Sequence, residues 1–286
     1  MFTPQTLEGK NILITGGGSG LGLAMASRFA ELGANVAICG RNLERLESAA
    51  EQIQKQGAKK VAIYAVDVRD YEGVGKMIDY FMQELGFLNG LVNNAAGNFL
   101  CASEDLTPNG FKSIVDIVLH GTFNCTQQLG KRWIQNQQKG TILNIVTTYT
   151  ETGCAFVLPS ACAKAGVYAL TTTLAYEWGP YGIRCNSIAP GPFPTEGAWS
   201  RLMPNKDFQQ RYIKHHPMGR VGEHIELANL AVFLMSDLAP YINGECVVID
   251  GGERLQGAEF NQFMHFVDRS TLKQLFQTMR PSKKDS

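Results

Sequence analysis

An α/β fold is what this sequence predicts: a single domain on a doubly wound parallel sheet of about seven strands. Three observations predict it. Seven short apolar runs, rich in Val, Ile and Leu, recur between residues 11 and 250, which is the composition of strands buried on both faces. Helix-length amphipathic segments separate them, so each strand returns to the sheet through a crossover. A cluster of glycines stands at the first strand-to-helix junction, where backbone rather than side chain must approach a ligand. With 286 residues, 44% of them apolar, the chain is long enough for a core of that size.

In chain order, "NILIT" at 11–15 is the first strand, and a helix follows near 20–32. "NVAIC" at 35–39 and a helix near 42–56 come next, then "KVAIYAV" at 60–66 and a helix near 71–85. "LNGLVNN" at 88–94 leads to one long helix near 106–136, and "GTILNIV" at 140–146 to a helix near 159–179. "IRCNSIA" at 183–189 precedes residues 191–222, whose four prolines and length suit an active-site lid. A helix near 225–236 and the strand "ECVVID" at 245–250 complete the unit. No repeat or change of composition interrupts it, so residues 1–252 form the domain and 253–286 a tail. "STLKQLFQTM" in that tail reads as a short amphipathic helix with Ser270 or Thr271 as its cap.

Lysine plus arginine balance aspartate plus glutamate at 26 each, so there is no electrostatic case for nucleic acid. The seven cysteines form no CxxC pair, which fits reduced thiols. "HH" at 215–216 lacks a third ligand at a telling spacing, so no metal is expected. No apolar run reaches the roughly 20 residues that cross a bilayer, so no membrane partner is expected either. The first strand begins by about residue 10 and leaves no room for a targeting segment. A cytoplasmic location is therefore expected, or the mitochondrial matrix where a presequence has been removed.

The segment "ILITGGGSGLGLAMASRFAELG" carries the nucleotide expectation. Gly16 permits the tight turn, Gly20 lets backbone approach a phosphate, and Gly22 allows close helix–strand packing. Gly17, Gly18, Ser19 and Leu21 complete the cradle at the helix N-terminus, whose amides and dipole favour a pyrophosphate. The second strand ends "AICGRN" without the acid that would bind both ribose hydroxyls of NAD. Arg41 offers a guanidinium fork for a 2′-phosphate instead, which favours NADPH; the alternative is an ordinary solvated arginine at a helix start. Asp67, with Val68 beside it at the end of strand three, is placed to accept from an adenine amino group.

The pattern TGxxxGxG, "NNAAG" at 93–97 and "PGPFPT" at 190–195 together resemble the short-chain dehydrogenase/reductase superfamily, from about Gly9 to Gly252. The resemblance implies a Rossmann-type fold, a nicotinamide cofactor and a homotetramer. It implies that Asn94 and Ala95 lie on the adenosine side, and that Pro190, Gly191, Pro192, Phe193 and Thr195 hold the nicotinamide end. It also exposes a gap. Typical members carry a tyrosine four residues before the lysine, and here Ser160 precedes Lys164. Thr147 keeps the assisting hydroxyl, but Val118 stands where an asparagine is usual.

Polar groups near that position are nonetheless plentiful. Tyr149 follows the fifth strand at the carboxyl edge of the sheet, where doubly wound folds bind ligands. Ser160 and Lys164, spaced i, i+4, share a helix face, and Asn98 follows the fourth strand at the same rim. His120 is expected to be structural, on a long core helix.

"NNAAGNF", "DIVLHGTF", "ETGCAFVLPSACAKAGV" and "GAWSRL" are similar to the NADPH-dependent 2,4-dienoyl-CoA reductases of the mitochondrial type. That similarity implies Tyr149, Asn98, Ser160 and Lys164 as the catalytic set and Arg69 and Arg201 as contacts to the CoA moiety of an acyl-CoA thioester. Phe99, beside Asn98, is a candidate for the acyl channel. The activity implied is reduction of a 2,4-dienoyl-CoA to a 3-enoyl-CoA in β-oxidation of unsaturated fatty acids. The alternatives are a short-chain reductase acting on ketoacyl or steroid substrates and a non-catalytic nucleotide-binding scaffold.

Overall fold

In a computed structural model, which describes residues 2–195 and 205–279, every predicted apolar run is a strand. They are β1 (Asn11–Thr15), β2 (Asn35–Gly40), β3 (Val61–Ala65), β4 (Gly90–Asn93), β5 (Gly140–Ile145), β6 (Ile183–Pro190) and β7 (Cys246–Ile249). All neighbours pair parallel, in the order β3-β2-β1-β4-β5-β6-β7. The order reverses between β1 and β4. In an open parallel sheet that reversal leaves a crevice beyond the carboxyl ends of the two strands, since their crossovers leave in opposite directions.

Three crossovers match expectation: α1 (Gly20–Glu31), α2 (Leu43–Lys55) and α3 (Tyr71–Leu85). The next does not. The long helix expected over 106–136 is α4 (Pro108–Val115), a π-helical turn at Asp116–His120 and then α5 (Gly121–Gln135). Thr107 caps α4 by accepting from Gly110 N at 3.1 Å, with Pro108 in the first turn. A π turn adds one residue to the i→i−4 ladder, so the apolar pattern changes phase inside a continuous helical rod. His120 in this turn is exposed rather than buried in a core helix, and its Nδ1 lies 3.1 Å from Asp116 Oδ1.

After β5 come a one-turn helix, α6 (Tyr149–Thr152), and the long α7 (Leu158–Glu177). Part of the expected lid is helical, as α8 (Lys206–His215) with Asn205 as its cap; residues 196–204 lie outside the described residues. Then follow α9 (His224–Met235), the short α10 (Phe263–Phe266) and α11 (Arg269–Thr278). The cap of α11 is Asp268, two to three residues before the hydroxyls expected there. Its carboxylate accepts from the backbone N–H groups of Ser270 and Thr271 at 3.0 Å each. A carboxylate also complements the positive helix end, which a hydroxyl cannot do as well.

Two main apolar clusters sandwich the sheet. Ile12 and Ile14 of β1 face α1 and α9, while Leu13 between them faces α3 and α5, as the two-residue period of a strand requires. Trp133 of α5 is fully buried, and its indole N–H donates to Leu88 O at 2.6 Å. A third, smaller cluster joins α4, the π turn and α7 around Ile114, Val118 and Val167. Among the described residues no helix is long and apolar enough to cross a membrane, and no group of three potential metal ligands occurs. All seven cysteines are free thiols.

Candidate active site

The crevice at the β1/β4 reversal is a cleft of about 770 Å³. Its floor is the turn after β1. Gly16 (φ 65°) and Gly20 (φ 54°) occupy the left-handed region open to glycine, and Gly16 N and Gly17 N donate to Cys39 O at the end of β2, at 2.8 and 3.3 Å. Gly17 and Gly22 stand behind the cleft and set its shape. A Cβ on Gly17 would lie 2.5 Å from Ile38 Cγ2, and one on Gly22 would lie 2.6 Å from Asn94 Nδ2. Asn94 holds the far wall, its amide donating to Thr15 O at 3.0 Å and Gly16 O at 3.3 Å.

The start of α1 suits an anion. Ser19, its N-cap, makes no side-chain cap bond, and the first turn holds no acid. By contrast α2 and α3 are capped by Asn42 and Asp70 and carry Glu44 and Glu72 in their first turns. The opening amides of α1 border the cleft through Ser19, Gly20 and Leu21, available to a phosphate. The residues present therefore fit a dinucleotide.

At one end of the cleft stand Arg41, Asp67, Val68 and Ala95, together with Arg45. Sequence reading did not select Arg45. Its stem lies where a Cβ on Gly18 would be 3.3 Å from its Cγ, and its position in the first turn of α2, four residues after Arg41, was the available signal. Asp67 is already engaged: Arg69 forks its carboxylate, with Nε to Oδ1 at 3.0 Å and Nη2 to Oδ2 at 2.6 Å. The Arg69 hydrogen bond holds that carboxyl below its ordinary range, and the nearby charge of Arg41 adds to the effect. Arg69 thus sits at the nucleotide rim.

A second group of polar residues, which does not line that cleft, is built from side chains that follow β4 and β5. The phenol of Tyr149, partly buried at the start of α6, lies 2.9 Å from Ser160 Oγ on α7. Burial pushes the phenol up from its usual range, while hydrogen bonds to Ser160 and Thr147 act the other way, so at neutral pH it is a proton donor. One turn beyond Ser160, Lys164 is buried with its Nζ donating to Ile145 O. Burial brings its ammonium down to about 8. A buried chain fixes this arrangement from below: Asn93 Nδ2 donates to Asn144 Oδ1 and Asn144 Nδ2 to Thr171 Oγ1 of α7, each at 2.8 Å.

Asn98 Oδ1 accepts from Phe99 N at 2.9 Å, which leaves its Nδ2 hydrogens without a partner among the described residues. Its loop is stitched to the segment after Tyr149, since Cys101 N donates to Phe156 O at 2.9 Å. Phe99 turns inward and packs on the Ile114 cluster, the usual fate of a phenylalanine. Val118 is fully buried in the same cluster.

The loop after β6 closes over the cleft through Phe193 and Thr195; a Cβ on Gly20 would lie 3.0 Å from Thr195 Cγ2. Pro192 and Phe193 also border a second cavity of about 130 Å³. Gly191 packs against Asp250 and Pro190 ends β6. The loop is tied to the start of α9: Gly222 N donates to Pro192 O at 2.9 Å, and His224 Nε2 donates to Pro194 O at 2.6 Å. Arg201 lies outside the described residues.

Residues 16–253 match the family model described as enoyl-(acyl carrier protein) reductase. A probable 2,4-dienoyl-CoA reductase of Bacillus subtilis (strain 168), described as (2E)-enoyl-CoA-producing, is 47% identical over 255 residues, covering 89% of this chain and 100% of that protein. A probable 2,4-dienoyl-CoA reductase 3 of Caenorhabditis elegans, described as (3E)-enoyl-CoA-producing, is 42% identical, covering 93% of this chain and 87% of that protein. The crystal structure of a short chain dehydrogenase from Bacillus anthracis str. 'Ames Ancestor' superposes with a TM-score of 0.80 at 44% identity, covering 88% of this chain and all of that one.

Proposed function

The chain belongs to the short-chain dehydrogenase/reductase family of nicotinamide-dependent oxidoreductases, and from that membership we propose that it is an NADPH-dependent 2,4-dienoyl-CoA reductase. The observation that supports this reading is the 2.9 Å contact between Tyr149 Oη and Ser160 Oγ. A phenol supplied from α6 meets the hydroxyl standing where the family's tyrosine is usual, with Lys164 one turn away. The relatives named as dienoyl-CoA reductases support the substrate class.

Bound at the glycine turn, a reduced nicotinamide would supply a hydride to the far end of the conjugated diene. In this reading the chain's own residues manage the charge that results. Electron density arrives on the thioester oxygen, where the Tyr149 hydroxyl and the Asn98 amide donate hydrogen bonds. Preorganised donors of this kind are each worth about 10²–10³ in rate. Ser160 donates to the phenol oxygen and orients it, while Lys164 binds the nicotinamide ribose and its charge stabilises the dienolate. Protonation of that dienolate at the α-carbon gives a 3-enoyl-CoA; protonation at the γ-carbon would give a 2-enoyl-CoA. Gly16 to Gly22 would hold the pyrophosphate, and Arg41 with Arg45 would receive the 2′-phosphate. Arg201 is assigned to the CoA moiety, and so is Arg69, which would have to exchange its Asp67 partner for a ligand phosphate; the described parts of 191–222 are assigned to a cover over the substrate.

The chain assembles as a homotetramer in this reading, which would cover the exposed Phe123 of α5 and Tyr176 of α7. The activity test measures NADPH oxidation with a 2,4-dienoyl-CoA, with a 3-ketoacyl-CoA and with neither, followed by product identification. Turnover of the dienoyl substrate alone, to a 3-enoyl product, is expected. Turnover of the keto substrate alone would defeat the proposal, and nucleotide binding without turnover would favour a scaffold.

A further inference from the structure

Phe156 stands in a backbone conformation that its local fold does not explain. Among the described residues only Gln137 and Phe156 are non-glycines at positive φ, at 52° and 68°. Gln137 follows the end of α5, where the left-handed conformation routinely terminates a helix. Phe156 precedes a helix instead, and a bulky residue at such φ is crowded by its own backbone. Glycine would adopt this conformation freely. Burial offers no compensation, because Phe156 is 58% exposed. Strain that local structure does not require is a pointer to function.

Its surroundings indicate which. The Phe156 carbonyl accepts from Cys101 N at 2.9 Å, so it lies on the seam joining the loop of Asn98 to the segment of Tyr149. Leu100 and Leu158, on the two sides of that seam, are also exposed. Neither strip holds a charge: none occurs from Gly97 to Ser103 or from Thr152 to Ala163. An uncharged apolar rim is unsuited to the phosphates of CoA and suited to hydrocarbon.

We infer that Phe156, flanked by Leu100 and Leu158, is the wall that receives the acyl chain beyond the diene and sets chain-length preference. The inference rests on the dienoyl-CoA reading above. With the thioester oxygen held by Tyr149 and Asn98, the remaining carbons leave the site across the seam that carries both. Phe99, packed inward, does not offer that surface.

The test compares wild type, Phe156→Gly and Phe156→Leu for kcat/KM on 2,4-decadienoyl-CoA and 2,4-hexadienoyl-CoA at saturating NADPH, together with Tm and oligomeric mass. Phe156→Gly should hold or raise Tm while lowering the decadienoyl-to-hexadienoyl ratio by about tenfold; Phe156→Leu should keep most of the ratio. An unchanged ratio in Phe156→Gly would overturn the inference, whether or not the oligomeric mass changes. So would a fall in Tm with equal losses on both substrates, the mark of a merely structural residue. If wild type reduces neither substrate, the dienoyl-CoA reading itself fails; a wild type that reduces both, matched in ratio by the glycine variant, defeats the Phe156 assignment alone.

Discussion

The glycine-floored cleft and the polar group around Tyr149 are made of different material. In the cleft, backbone forms the binding surface: a turn with two left-handed glycines and the uncapped start of α1. Two further glycines there leave no room for a Cβ, Gly17 against Ile38 and Gly22 against the Gly16 carbonyl and Asn94. Around Tyr149 the groups are side chains from three separate elements: Asn98 after β4, Tyr149 on α6, and Ser160 with Lys164 on α7. A main-chain surface has one solution, because it depends on φ and on the absence of a Cβ. A hydroxyl can be delivered from any element that reaches the same point. The phenol arriving from a residue eleven positions before Ser160 is that freedom in use.

The largest effect should come from the polar group. In the proposed mechanism Tyr149→Phe removes one donor to the developing oxyanion, so it should lower kcat by about 10²–10³ and leave NADPH affinity within about twofold. Rapid-reaction kinetics and a nucleotide titration would check this; a large loss of nucleotide affinity would show that the two regions are not separable.

In the cleft, Arg41→Ala should weaken NADPH by about 10–100-fold through loss of charge-assisted bonds and change NADH little. Titrating both nucleotides decides it, since equal losses would place Arg41 away from the 2′-phosphate. Arg45, facing the same cleft, should keep the loss toward the lower figure.

The smallest effect is one of pH. Burial holds Lys164 at about 8, below its usual 10.5, so its charge disappears as pH rises past about 8, and kcat/KM should fall there. Folding should respond in the opposite sense. Between about 8 and 10.5 the unfolded chain binds more protons at this group, so its contribution to stability rises with pH. Comparing wild type with Lys164→Met, in pH–rate profiles and in denaturant unfolding, isolates both trends from the buried thiols. Parallel trends would refute the assignment.

The same contrast governs what sequence could reveal. Strands buried on both faces announce themselves as apolar runs, and all seven lie within about a residue or two of expectation. The glycine turn after β1 was equally legible, because its glycines answer to backbone geometry. The π turn at Asp116–His120 was not, since its extra residue shifts the phase of the helix without altering its composition. The cap of α11 was misread because Asp268, Ser270 and Thr271 compete within four residues, and the carboxylate of Asp268 serves two amides at once. The Asp67–Arg69 fork was hidden for a related reason: spacing brings the two together without saying that one occupies the other. Nor does sequence register the left-handed backbone at Phe156, since phenylalanine is the last residue expected there.

The strand order has a consequence for how the chain is made. β1 lies between β2 and β4, and Ile12 pairs with Val36 on one side and Gly90 on the other. A nascent chain emerging from the ribosome can join β1, β2 and β3 once Ala65 is out. The second flank of β1 must then wait for residues 90–93. Throughout that interval an apolar edge with open amides faces the cytosol or a chaperone, ready to pair with another unfinished copy. Translation pauses between β3 and β4 should therefore be the most damaging to yield.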